Sequence, residues 1–228
     1  MMNLGQLSIL VERLRKEAIG EPTWISEKRV YEYQDNSAKV VAVLKVVRAA
    51  QGVHTLDLLC RSGMFVDFGV VIRCVFDCEA EVYFLLENFP NTSGKVDKFV
   101  NAFFASSIDG YLSNETHVVS TEKIRNAMVR ALKGTQDEEL QKIMDRIYKT
   151  FCGYVHANYA HIMEIYNGAT DNFNIAGVPS ETQRQMRMEH TDLAAERVLH
   201  AAAFVAHTLG LKDLHHDIVQ SWLKVEAS

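Results

Sequence analysis

The run Leu58–Glu87, LLCRSGMFVDFGVVIRCVFDCEAEVYFLLE, limits what this chain can fold into more than any other stretch does. Read as one helix it would be roughly 45 Å long, at about 1.5 Å per residue. Its apolar residues fall on nearly every side, the pattern of a helix wrapped by other helices. At about 100° per residue, Asp67, Arg73, Asp77 and Glu81 gather on one strip roughly 120° wide. Arg73 to Asp77 and Asp77 to Glu81 are both i,i+4 steps. The most apolar segment therefore carries a charged seam. An arginine among apolar neighbours needs an acid within reach, and Asp77 is the obvious partner for Arg73. The seam reads either as an ion network that fixes helix register or as the floor of a site, which makes Arg73 and Asp77 candidate catalytic residues.

The rest of the chain punctuates into helical blocks. Only Pro22, Pro90 and Pro179 occur, each where a periodic pattern stops. Leu7, Leu10, Val11, Leu14 and Ala18 follow i, i+3, i+4 spacing and predict an amphipathic first helix over 4–19. A second helix is expected from about Glu27 to Ala50, broken at Gln51-Gly52, with Thr55 capping the central helix. Shorter helices are expected over 96–107 and from Ser120 or Thr121 to Lys133, with a turn at Asp109-Gly110 between them. Gln136–Asn167 reads as a second long helix with a kink at Gly153. After the irregular NGATDNFNIAGVPS, Ser180 and Gln183 match a capping box, and the remainder reads as helices split at Gly210. The sum is an all-α, multi-helix bundle of about seven to nine helices in a single domain over 1–228, built around 58–87.

Composition narrows the function classes. At 228 residues and 48% hydrophobic content the chain can bury a substantial core. A net charge of −5 argues against an overall footprint for nucleic acid. Arg61, Asp67, Arg73 and Asp77 interrupt the most apolar run, so no membrane span is expected. Cys60, Cys74, Cys78 and Cys152 lack C-x-x-C spacing and read as reduced thiols, which together with the N-terminus suggests a cytoplasmic protein. The phosphate-loop, dinucleotide, nucleophile-elbow and zinc-protease signatures are absent, and no cofactor is expected.

Two further constellations merit attention. In RIYKTFCGYVHANYAHIME, His156 and His161 are candidate catalytic residues, although on one continuous helix they would point about 140° apart. His161 and Glu164 form an H-x-x-E pair that, with Glu81, is a candidate metal site of the kind helical bundles build. Near the C-terminus, Glu196, His200 and His207 lie along one face, which reads as a packing seam with half-exposed histidines.

The stretch RSGMFVDFGVVIRCVFDCEAEVYFLLEN together with YVHANYAH resembles a loose group of uncharacterised, mostly bacterial, all-helical proteins. That likeness implies a helical fold and no assigned activity. More distantly, Arg48 with His54 and Arg184 with His190 have the Arg-x(4–6)-His spacing of the HEPN superfamily of helical bundles. Arg48 is followed by Ala49, where that motif usually carries a polar residue. The resemblance implies metal-independent RNA cleavage, with RNA as partner, of the type used in toxin and phage-defence systems. The leading expectation is a bacterial helical protein that acts by binding or assembly, for instance as a homodimer. The alternatives are the HEPN-like ribonuclease and a metal-dependent helical-bundle enzyme.

Overall fold

A computed structural model describes residues 3–105 and 119–226. The fold is an all-α bundle with two small antiparallel hairpins. Helix α1 (Leu4–Ile19) starts where the Asn3 side chain accepts from Gln6 N, and it buries Leu7, Leu10, Val11 and Leu14, the predicted stripe. The expected helix over 27–37 is not formed. Thr23–Ile25 (β1) pairs with Val30–Glu32 (β2), and Trp24 stacks on Tyr31 with ring centroids 4.9 Å apart. The β-branched and aromatic residues of this segment supply a cross-strand pair, which outweighs the helical periodicity.

Helix α2 (Ala38–Ser62) starts at Ser37, whose hydroxyl accepts from Val40 N, and runs straight through the expected break at Gln51-Gly52. The reason is packing: a Cβ on Gly52 would meet Val75 Cγ2 at 2.5 Å, so glycine lets two helices approach closely. Thr55 caps nothing and donates to the Gln51 carbonyl instead. The break falls at Gly63, which corrects the expectation of one continuous 58–87 helix. Gly63 has φ 71°, and Gly63 N and Met64 N bond to the Cys60 and Leu59 carbonyls, a Schellman closure. Helix α3 (Phe65–Leu86) then doubles back along α2, so Leu58–Ser62 ends one helix and Phe65 begins the next.

Helix α4 (Gly94–Phe104) and α5 (Thr121–Lys133) match two expected short helices, while the Asp109-Gly110 turn lies outside the described residues. The expected 136–167 helix is three pieces: α6 (Glu138–Val155), α7 (Tyr159–Met163) and a hairpin of Tyr166–Asn167 (β3) with Asn172–Phe173 (β4). Ala157, at φ 50°, closes α6, with Ala157 N and Asn158 N bonded to the Tyr154 and Gly153 carbonyls. Gly153 therefore sits just before a helix end. It makes room for His161, whose Cε1 would lie 2.1 Å from a Cβ there. Helix α8 (Glu181–Thr208), capped by Ser180, and α9 (Lys212–Glu226) flank Gly210 as expected.

The core is one contiguous set of apolar side chains. Leu7, Leu56, Phe68, Ile72, Met128, Leu199 and Ile218 are all essentially fully buried within it. Helix α3 packs against α2, α5, α6 and α8, and so supplies the central element at a shorter length than expected. Among the described residues, no helix is long and apolar enough to cross a membrane.

Candidate functional site

Residues 73, 74, 77, 78 and 81 share one face of α3 by their i, i+1, i+4, i+5 spacing. Opposite them stand Tyr148, Cys152 and Val155 of α6, with His156 at its C-cap. With Lys45 from α2 and Val70, these side chains line an open groove of about 360 Å³. Four residues singled out from sequence, Arg73, Asp77, Glu81 and His156, thus come together. Asp67 is exposed on the first turn of α3 and does not line the groove.

The charges in the groove hold one another. Arg73 Nε donates to both carboxylate oxygens of Asp77, at 2.9 and 2.8 Å, and Nη1 donates to Cys152 Sγ at 2.9 Å. The guanidinium lies 3.7 Å from the Tyr148 ring centroid, and that of Arg125 lies 4.0 Å from the same centroid. Arg125 is anchored by Asp145 at 2.8 Å. Arg73 is therefore held through Nε, Nη1 and the face of its guanidinium, which limits the entropy it loses when a ligand arrives. Lys45 pairs with Glu81 at 2.6 Å, and burial raises the Glu81 carboxyl despite that lysine.

Sulfur adds the softer chemistry. Cys74 and Cys78 stand one turn apart on α3. The Cys78 thiol beside it holds Cys74 below its ordinary value, against the opposing effect of burial and with help from Arg48 and Lys45. Cys74 and burial push Cys78 up. Both sulfurs and Cys152 line the groove. The i,i+4 cysteine spacing on the Arg73–Asp77 face was visible in the sequence; Lys45 and Tyr148 carried no such signal.

His161 does not enter the groove, and the single-helix geometry that set it against His156 does not hold. Its ring packs on Tyr154, with centroids 4.0 Å apart, and Nδ1 is buried with no hydrogen-bond partner among the described residues. Glu164 is taken as well: it accepts from Tyr154 Oη at 2.7 Å and from Arg187 at 2.9 Å. The candidate metal set of His161, Glu164 and Glu81 is thus divided between an Arg187-centred network and the groove. Among the described residues, no group of three or more His, Cys, Asp or Glu is placed to hold a metal ion.

The Arg-x(4–6)-His pairs also point to separate places. His54 Nε2 is 2.7 Å from Ser8 Oγ on α1, whereas Arg48 acts on Cys74 across α3. Arg184 pairs with Glu181, and His190 is half-buried. Of the C-terminal histidines, His200 stacks on Trp222 at 4.5 Å and His207 on His215 at 5.3 Å, which fits a packing seam.

Two features carry no sequence signal of their own. Glu79, on another face of α3, is 3% exposed, is pushed up to about 7 by full burial, and is bound by Arg197. A larger cleft of about 590 Å³ is lined by Lys95, Lys98, Lys123 and Arg130, the last held by Glu87. It contains neither thiol nor imidazole. The chain matches no family model, no curated protein and no solved structure.

Proposed function

We propose that this protein acts by binding, with the groove between α2, α3 and α6 as its ligand site, rather than by turnover. The observation that carries the reading is the convergence of Arg73, Asp77, Glu81 and His156, from two helices, on one groove. Its two cations are already engaged by its own acids, so the groove presents a fixed, charge-matched surface with apolar edges at Val70 and Val155. Such a surface selects a small ligand by shape and hydrogen bonding. A reducing cytoplasm, the setting in which its free thiols would persist, belongs to the same proposal.

The test is to screen the purified chain against metabolites, nucleotides and RNA, reading stabilisation by thermal shift and turnover by product analysis. Binding that Val70→Trp abolishes, without product formation, supports the reading. Turnover that Arg73→Gln abolishes overturns it. Metal-independent RNA cleavage that stops on changing His54 or His156 would instead make the protein a ribonuclease.

Assembly is supported by a separate observation. The segment from the end of α6 to the loop after β4 exposes Val155 at 48%, Tyr159 at 80%, Ile162 at 40% and Ile175 at 79%. A second copy of the chain is the partner proposed for this surface. Sedimentation should show a dimer that Tyr159→Lys with Ile175→Lys dissociates, and a monomer at every concentration would refute it.

A further inference from the structure

The larger cleft, at the C-terminal end of α3, is built from two short helices whose cations repeat at helical spacing. Lys95 and Lys98 are i,i+3 on α4, and Lys123, Asn126 and Arg130 are i,i+3,i+7 on α5, so each set forms one stripe. Both stripes line the same space of about 590 Å³, which shares no lining residue with the groove between α2, α3 and α6. Four cations there face one carboxylate, in a chain whose net charge is −5. That carboxylate, Glu87, is spent on Arg130, whose Nε and Nη2 donate to its two oxygens at 2.5 and 3.0 Å. Lys95, Lys98 and Lys123 have no ionic partner among the described residues. Asp97 and Glu122, the acids next to them in sequence, are not among the residues lining the cleft, and Asp97 accepts from Thr92 Oγ1 at 2.9 Å. Like charges gathered in one concavity repel one another and raise the potential there, which a bound anion relieves.

The backbone points the same way. Helix α4 begins in the lining, with Ser93, Gly94 and Lys95. The Ser93 hydroxyl is occupied by Val96 N, whereas Gly94 N and Lys95 N have no intrahelical acceptor. A Cβ on Gly94 would meet nothing within 4 Å, so an anion can come close to these amides. On α5, Asn126 lines the cleft with its side-chain oxygen buried and without a hydrogen-bond partner among the described residues, an orphaned amide of the kind that a bound ligand satisfies.

We propose that this cleft binds a small anion carrying two or more phosphate groups. One phosphate carries a charge of about −1.5 to −2, less than the three unpaired lysines offset, so a polyphosphate is the better match. The lysines of both helices and the first amides of α4 take the phosphate oxygens, and Arg130, oriented by Glu87, offers its remaining nitrogen, Nη1. The volume lies within the range of about 300–1,000 Å³ typical of small-molecule sites, and the negative net charge of the chain opposes a long polyanion such as nucleic acid.

The experiment titrates the full chain with inorganic tripolyphosphate, adenosine triphosphate and orthophosphate in a calorimeter. Tripolyphosphate should bind one to one, more tightly than orthophosphate, and more weakly as salt is raised. Lys98→Gln and Lys123→Gln, both at exposed positions, should each weaken it about tenfold, the loss of one charged hydrogen bond, with circular dichroism unchanged. Lys149→Gln, which removes an exposed cation of α6, and Val70→Trp, which fills the other groove, should leave it unaltered. Adenosine triphosphate separates the two sources of this chemistry: tighter binding than tripolyphosphate assigns a nucleotide, and equal or weaker binding assigns an inorganic polyphosphate. The proposal is overturned if tripolyphosphate binds no more tightly than orthophosphate, or if Lys98→Gln and Lys123→Gln cost no more than Lys149→Gln. It is also overturned if a single-stranded RNA binds more tightly than either polyphosphate and is weakened by the same two substitutions.

Discussion

Replacing Arg197 by methionine tests how the centre of the bundle tolerates a buried carboxyl. Glu79 is 3% exposed and its one ionic partner among the described residues is Arg197, whose Nε lies 2.5 Å from Oε2. Methionine keeps the length of the side chain and its packing near Phe76 but removes the charge. Breaking a buried pair by removing one partner costs about 3–5 kcal/mol. The size should depend on pH, and the sign follows from the protons. Glu79 is held at about 7 in the folded protein against an ordinary 4.5, so the folded state binds more protons between those values. Its contribution to stability is complete below pH 4.5 and is lost as pH rises through 7. Without Arg197, burial acts unopposed and the folded value climbs further, so the loss continues at about 1.4 kcal/mol per pH unit where the wild type has levelled off. Between pH 7 and 8.5 the variant should therefore lose roughly 2 kcal/mol more than the wild type. Urea unfolding followed by circular dichroism at pH 6, 7 and 8.5 measures this directly. Adding Glu79→Gln should abolish the extra pH dependence. A penalty that is the same at all three pH values would refute the reasoning.

Gly69→Ala should lower stability by about 1–2 kcal/mol, although alanine is the better helix former by about 1 kcal/mol, because the overpacking cost is larger. The new methyl would sit 2.2 Å from Tyr154 Cγ, and a raised melting temperature would contradict this. Phe68→Ala, at a fully buried position, should cost about 3–5 kcal/mol in chemical denaturation, and a loss below 1 kcal/mol would remove Phe68 from the core. Arg187→Met removes the donor shared by Glu164 and the Tyr154 hydroxyl, so hydrogen exchange over 159–178 should speed up severalfold while α2 and α3 stay protected. Unchanged exchange there would show that Arg187 does not hold this segment.

Helices were legible where a stripe meets a core and a side chain caps the start. Leu7 to Leu14 and Gly134 after Lys133 behave as their spacing suggests, and Ser180 caps its helix by accepting from Gln183 N, although Gln183 Oε1 makes no return bond among the described residues to complete the box. Breaks were not legible, because the same residue does opposite jobs in different surroundings. Gly52 lets α2 continue against Val75, whereas Gly63 turns the chain and docks on Val178, whose N donates to the Gly63 carbonyl at 2.9 Å. Ala157 shows the converse: a left-handed closure without glycine, at a cost of about 1–2 kcal/mol that the surrounding contacts must offset. Neither choice can be read from local composition, since the deciding atoms lie more than a hundred residues away or on the next helix.

The same logic explains which part of the site could be foreseen. Arg73, Cys74, Asp77 and Cys78 share one face of one helix, so their phase survived the error about where that helix begins. His156 and His161 lie across the Ala157 closure, and there a correct residue choice met a wrong backbone: one lines the groove and the other packs beneath Tyr154. A helical phase argument holds only as far as the helix does. Lys45 and Tyr148 needed tertiary knowledge outright, because each matters through what it faces: Glu81 for the first, Arg73 and Arg125 for the second. The charged residues of α3 then divide by face. Glu79, on its own face, is matched inside the core by Arg197, whereas Arg73, Asp77 and Glu81 are matched at the wall of a groove open to small molecules. The buried pair and the groove thus occupy different faces of one helix, so Arg197→Met should change stability and leave binding in the proposed groove untouched, while Val70→Trp should do the reverse.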